Sequence, residues 1–130
     1  SKPNIICCIA DSPYDDIIGQ IEYLLGKRSN ITKKIVIGLF KANMRLRAKA
    51  NASDASPITS MAYIKLPVMF VHGKDDRYVM PDNSLRLYEA CKSEIKELLI
   101  VEEAGHVCSY VLQPYEYEKT FSSFVDSIIE

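Results

Sequence analysis

Three short apolar runs constrain this chain more than any other feature: "NIICCIA" up to Ala10, "LPVMFV" up to Val71, and "LLIV" up to Val101. Each is continuously apolar rather than alternating, the pattern of a strand buried on both faces of its pleat. Each gives way to a polar turn, "DSPYDD", "HGKDDRYVMP" or "EEAGH", and then to residues at helical spacing. Helices are expected near Asp16 to Leu25, near Thr32 to Lys49, over "NSLRLYEACK" with Leu85, Tyr88 and Cys91 on one face, and over "PYEYEKTFSSFVDSIIE" with Tyr117, Phe121, Phe124, Val125 and Ile128 in register. The stretch "NASDASPITS" reads as a polar loop in which Pro57 stops helix propagation. Buried strands alternating with helices imply an α/β fold, a parallel sheet covered on both sides.

At 130 residues, 48% hydrophobic and 25% charged, the chain is sized for one domain that buries roughly two-thirds of its unfolded surface. Its apolar runs fall well short of the ~20 residues that span a bilayer, and no basic segment precedes a small-residue cleavage site. Neither a membrane span nor a signal peptide is expected. Cys7, Cys8, Cys91 and Cys108 lack zinc-site spacing, and they read as reduced core residues of a cytosolic protein. The first residues, Ser1-Lys2-Pro3, include no initiator methionine, which suggests a fragment or a processed product.

A net charge of -1 hides an asymmetry. Between Lys27 and Lys49 there are eight Lys/Arg and no Asp or Glu, whereas residues 1 to 26 carry one basic and four acidic residues and residues 50 to 130 carry seven and thirteen. Ile31, Ile35 and Leu39, with Val36, Phe40 and Met44, recur at spacings of three and four among Lys33, Lys34, Lys41 and Arg45. The favoured reading is a solvated helix face beside a buried one. The rival is a lid that attracts anionic substrates or an anionic membrane surface. Nucleic-acid binding is disfavoured because no aromatic platform interleaves the charges.

In open parallel sheets, ligands gather at the carboxyl ends of the strands. There lie Asp11 after the first strand, Asp75 and Asp76 after the second, and His106 after the third. A carboxylate that accepts a hydrogen bond from one imidazole nitrogen fixes the tautomer and leaves the other nitrogen free as a general base. His72, at the end of the second strand, reads as structural. A metal site from His72, Asp75, Asp76 and His106 explains these residues less well than an acid–base pair.

The stretches "PVMFVHGKDDRYVMP", "LYEACKS", "LLIVEEAGHVCSY" and "YEKTFSSFV" resemble the C-terminal third to half of an α/β-hydrolase-fold serine hydrolase, esterase-like or peptidase-like. The resemblance implies that Asp76 in "HGKDD" is the triad acid and His106 in "AGH" the base, with Asp75 the rival acid. It also implies a single C-terminal α/β-hydrolase portion over 1-130, with cap or lid helices about 15-50 and an α/β core about 1-14 and 57-130. The nucleophile of that family sits in G-x-S-x-G. Glycines here stand only at 19, 26, 38, 73 and 105, so no such elbow exists in this chain. Ser1, Ser12, Cys108 and Ser109 are weak substitutes.

The resulting expectation is a truncated cytoplasmic hydrolase that is inactive alone. Its whole form would act on a small-molecule acyl substrate with no cofactor, no metal, no nucleic-acid partner and no stable membrane insertion. Truncation would bare the strand near Ile5-Ala10, and a homodimer through that edge, or a rearranged segment, is expected to cover it. The alternative is a non-catalytic binding or assembly module that retains the hydrolase fold.

Overall fold

The computed structural model describes residues 5–129. Three parallel strands, β1 (Cys8–Asp11), β2 (Val68–Gly73) and β3 (Lys96–Val101), lie side by side in that order. Between β1 and β2 come α1 (Ile17–Leu25), α2 (Asn30–Asn43) with a π-helical turn (Met44–Ala48), a 3-10 turn (Ala52–Ala55) and the short α3 (Pro57–Ser60). Helix α4 (Asp82–Ala90) joins β2 to β3, and α5 (Ser109–Leu112) and α6 (Pro114–Ile129) follow β3. The fold is the α/β class expected from the alternation.

All six residues of β2 are buried, as a central strand apolar on both faces requires. Its pleat feeds two cores. Met69 and Val71 point with Leu99, Val101 and Ala104 toward Phe124 of α6, while Val68 and Phe70 point toward Leu87, Cys91 and Met61 on the other side. Lys96, at the start of β3, donates from Nζ to the carbonyls of Tyr88 and Cys91 at the end of α4, at 2.8 and 3.0 Å. A cation there satisfies carbonyls that the helix leaves open.

Local chemistry explains the helix ends. Asp16 caps α1, its Oδ2 accepting from Gly19 N at 2.6 Å, and Gly26 ends that helix at a φ of 56° that a side chain would strain. Ser29 caps α2 by accepting from Thr32 N at 3.2 Å.

Several expectations need correction. The first strand begins at Cys8 and, among the described residues, lies at the sheet edge with Ile5, Ile6 and Ile9 exposed, so its apolar run does not mark a buried strand, while the bared edge that the resemblance implied is what the fold presents. Asn4 and Ser1 lie outside the described residues. Cys8 and Cys108 are exposed and Cys7 is half-buried, so only Cys91 is a core cysteine. Pro57 starts a short helix instead of merely stopping one, because a proline's missing N–H costs nothing in the first turn.

On α4 the inward face is Asn83, Ser84 and Leu87, and Leu85 is exposed. A reading by apolar period misses that phase because the inward Ser84 is polar, held by His72. Phe121 of α6 is likewise partly exposed, whereas Phe124 is buried. No helix among the described residues is long and apolar enough to cross a membrane.

Candidate active site

The carboxyl ends of the three strands converge through one close approach. Gly73 ends β2 where the loop after β3 crosses it, and a Cβ there would stand 2.3 Å from the Ala104 carbonyl oxygen. Because glycine leaves that space, Lys74 N donates to Val101 O at 2.8 Å and Asp75 N to Ala104 O at 2.9 Å. The two loops are laced together by these bonds. Asp76 then turns inward and His106 outward from the same seam.

Asp76 is 2% exposed, and its oxygens divide their partners. Oδ1 accepts from the backbone N–H groups of Tyr78 and Val79, at 2.8 and 2.9 Å. Oδ2 accepts from His106 Nδ1 at 2.8 Å and lies 3.2 Å from His72 Nε2. Burial alone would raise the carboxyl's pKa, but the bonds from Val79, His106 and Tyr78 outweigh it and hold the group below its ordinary value. An ionised Asp76 accepts a hydrogen bond from His106 Nδ1–H, which keeps that hydrogen on Nδ1. The other ring nitrogen, Nε2, makes no hydrogen bond among the described residues, so its lone pair is available to a hydroxyl.

His72 is different. Its ring is fully buried, with Nε2 2.9 Å from Val79 O and Nδ1 2.6 Å from Ser84 Oγ. Since Nε2 faces two oxygens, the tautomer with hydrogen on Nε2 suits the site and Nδ1 accepts from Ser84. Both nitrogens are engaged, as befits the structural role read from the sequence, and the ring backs the carboxylate.

His106 opens on a cleft of about 310 Å³ lined by Ser12, Tyr14, Ile17, Ile21, Leu24 and Val79 among others. Its walls are largely apolar. Tyr78 leans on the imidazole, with ring centroids 5.0 Å apart. Two residues near His106 adopt left-handed backbone: Val107 at φ 54° directly after it and Glu103 at 61° three residues before it in the same loop. A β-branched residue there stores roughly 1–3 kcal/mol of strain. Ser12 helps hold it, because Ser12 Oγ accepts from Val107 N at 3.1 Å while donating to Asp11 Oδ1 at 3.1 Å.

The substitutes for a nucleophile fare poorly by geometry. Ser12 has both hydrogen-bonding capacities in use and is 5% exposed. Ser109 is fully buried and its hydroxyl has no partner. Cys108 is exposed, but its Sγ meets the His106 carbonyl, not the ring, at 3.3 Å. Asp75 is exposed and contributes only its backbone N–H, so of the two adjacent aspartates it is Asp76 that meets the imidazole. Sequence reasoning missed Ser84, Tyr78 and Gln20, none of which stands in a motif that marks it.

The pH dependence of stability follows from the same carboxylate. A folded pKa below the unfolded one gives stability that is present above about pH 4, the ordinary aspartate value, and lost as pH falls through the folded value. Asp16 adds to this in the same direction: burial opposes, while Ser56, the Gly19 and Ile18 N–H groups and Lys41 favour its ionised form. Thermal unfolding followed from pH 6 to pH 2 should show the parent losing stability more steeply below pH 4 than Asp76→Asn. Parallel curves would mean that Asp76 is not preferentially ionised in the fold.

A parallel α/β sheet with a carboxylate–imidazole pair at adjoining strand ends matches the α/β-hydrolase fold class. The sequence pattern of the serine aminopeptidase family S33 matches residues 25–109, and the chain belongs to that family. An uncharacterized Bacillus subtilis protein, YqkD, is 32% identical over 120 residues, covering 92% of this chain and 39% of that protein. The fold is similar to Pyrococcus furiosus esterase Pf2001 (TM-score 0.65, 19% identity, 98% of this chain and 47% of that one). It is similar also to Pyrococcus horikoshii acylaminoacyl peptidase (TM-score 0.62, 20% identity, 94% and 19%) and to Paleococcus ferrophilus monoacylglycerol lipase (0.51, 16%, 91% and 59%). The chain thus spans less than half the length of YqkD and of the esterase.

Proposed function

We propose that Asp76 and His106 are the acid and base of a serine-hydrolase triad that cleaves carboxylic esters or related acyl substrates, with the nucleophile on a segment other than these 130 residues. The observation that carries this reading is the 2.8 Å bond from His106 Nδ1 to a buried carboxylate whose other oxygen is pinned by two backbone N–H groups. Such an acid does not move when the imidazole gains a proton, so it stabilises the imidazolium without reorganising. Nε2 accepts the hydroxyl proton of the attacking serine and later returns it to the leaving group. The apolar cleft beside His106 suits an acyl chain. Three similar folds are named for an esterase, a peptidase and a lipase, which agrees with acyl transfer as the reaction class.

The test is covalent labelling by a serine-directed fluorophosphonate. The 130-residue chain should remain unlabelled, because a base adds on the order of 10² to 10⁴ in rate only when a nucleophile is present to deprotonate. A polypeptide that joins this chain to a nucleophile-bearing segment should label at a serine in that segment. Strong labelling of the 130-residue chain itself, mapped to Ser1, Ser12 or Ser109, would overturn the assignment.

A further inference from the structure

Among the nine residues of α1 only Gln20 is buried, although the helix offers five isoleucines and leucines on its faces toward the cleft and the surface. A helix that merely packed would bury an apolar side chain, since a primary amide loses its water on burial and regains nothing unless it is bonded. Gln20 is bonded. Its Nε2 donates to the carbonyl of Tyr78 at 2.8 Å. Tyr78 is also the residue whose N–H donates to Asp76 Oδ1 and whose ring leans on His106. One residue of the acid loop therefore touches the helix, the acid and the base.

A second bond runs parallel to the first. Tyr23, three residues after Gln20 and so on the same side of α1, donates from its hydroxyl to Arg77 O at 2.8 Å. At the other end, the segment before α1 is fixed to α4: Asp15 N donates to Asn83 Oδ1 at 3.1 Å, and the Asp15 carboxylate pairs with Arg86. Ile17, Ile21 and Leu24 of the same helix line the cleft onto which His106 opens. Helix α1 is thus both a wall of the cleft and a clamp on the acid loop.

We propose that Gln20 is a positioning residue that couples the seating of α1 to the imidazole of His106 through Tyr78. When α1 is seated, Gln20 holds the Tyr78 carbonyl, Tyr78 holds Asp76 and its ring confines His106, and the Nδ1–H bond to Asp76 is kept. When α1 lifts, for instance as an acyl chain enters or leaves between it and His106, the Tyr78 backbone is released and the imidazole loosens. The base is thereby competent only while the cleft wall is in place. This rests on the reading of Asp76 and His106 as an acid–base pair, but its test does not require turnover.

The chain has two histidines, so imidazole resonances in the 130-residue protein are separable by NMR. His72 is an internal control, being buried behind Asp76 and bonded to Ser84 and Val79. At a pH where both rings are neutral, parent His106 should show the Nδ1–H tautomer with a protected Nδ1 proton. Gln20→Leu should speed exchange of that proton roughly tenfold, the effect of losing one net hydrogen bond at the upper end of its range, and mix the tautomers. Gln20→Glu keeps the shape but sets a carboxylate oxygen against the Tyr78 carbonyl, and its effect should exceed that of Gln20→Leu. Tyr23→Phe, at a partly exposed position, should fold normally and speed exchange in the same direction by about two- to threefold.

His72 signals should stay in place throughout. Unchanged His106 exchange and tautomer in folded Gln20→Leu and Tyr23→Phe would overturn the coupling, as would equal shifts of His72 and His106, the mark of general loosening. A protein that shows the coupling but supports no acyl transfer once joined to its nucleophile would instead count against the hydrolytic reading alone.

Discussion

Joined to a nucleophile-bearing segment, the Asp76→Asn variant should lose about 10⁴ in kcat toward short acyl esters, with little change in KM. The reason is donor counting. The carboxylate of Asp76 receives the N–H groups of Tyr78 and Val79 on one oxygen, and on the other it receives His106 Nδ1–H and faces His72 Nε2. An asparagine has one oxygen and one NH2, so whichever way it turns, a donor meets donors. If the NH2 faces the histidines, His106 is driven to the opposite tautomer and Nε2 can no longer accept a proton. If it faces the loop, two backbone N–H groups lose their acceptor and the acid loop shifts. His106→Ala should be at least as severe, since it removes the proposed base outright. The measurement is kcat and KM for both variants on one substrate series. A loss below tenfold in Asp76→Asn would remove Asp76 from the mechanism.

Gly73→Ala is the second large effect, and it needs no substrate. Its new Cβ would stand 2.3 Å from Ala104 O, 2.6 Å from Ala104 C and 2.6 Å from Gly105 O, all of them backbone atoms that cannot swing aside as a side chain would. The loop after β3 must retreat, and with it goes the acceptor of Asp75 N. Overpacking of this kind costs about 1–3 kcal/mol, and in a domain of this size each kcal/mol lowers Tm by roughly 4 °C. The same retreat carries His106 away from Asp76, so the protected Nδ1 proton should vanish even at temperatures where the variant is folded. Calorimetry together with the imidazole spectrum reads both. A variant with parental Tm and an intact Nδ1 proton would mean that the seam between the two loops is not what holds the pair.

Much of this was legible before the fold was known, for identifiable reasons. The β2 run is apolar at every position from Val68 to Val71 because the strand is central, and a central strand has no solvent face to encode. The aspartate and histidine stand just past strand ends, and parallel pairing of β2 with β3 leaves their loops no other place than side by side. What misled the reading was apolar content taken as burial. The isoleucines and cysteines at the start of β1 look like core residues, yet β1 has a hydrogen-bonded neighbour only on its β2 side among the described residues, so Ile5, Ile6 and Cys8 are open. Leu85 gave the wrong phase for α4, because its inward face includes a serine chosen for a histidine rather than for packing.

The sequence by itself therefore determined the α/β alternation, the buried central strand, and the identity of one aspartate and one histidine as a pair worth testing. The first two are properties of period and run length, which a linear chain carries explicitly, whereas the choice of that aspartate and histidine rested on resemblance to a family's motifs. Only the tertiary structure decided which partners those two residues keep. Gln20 and Tyr78 are separated by 58 residues, Ser12 and Val107 by 95, yet each pair shares a hydrogen bond. A polar side chain buried for one distant carbonyl has no period and no local motif. Its meaning exists only once α1 has settled on the acid loop and the ends of β1 and β3 have been brought together across β2.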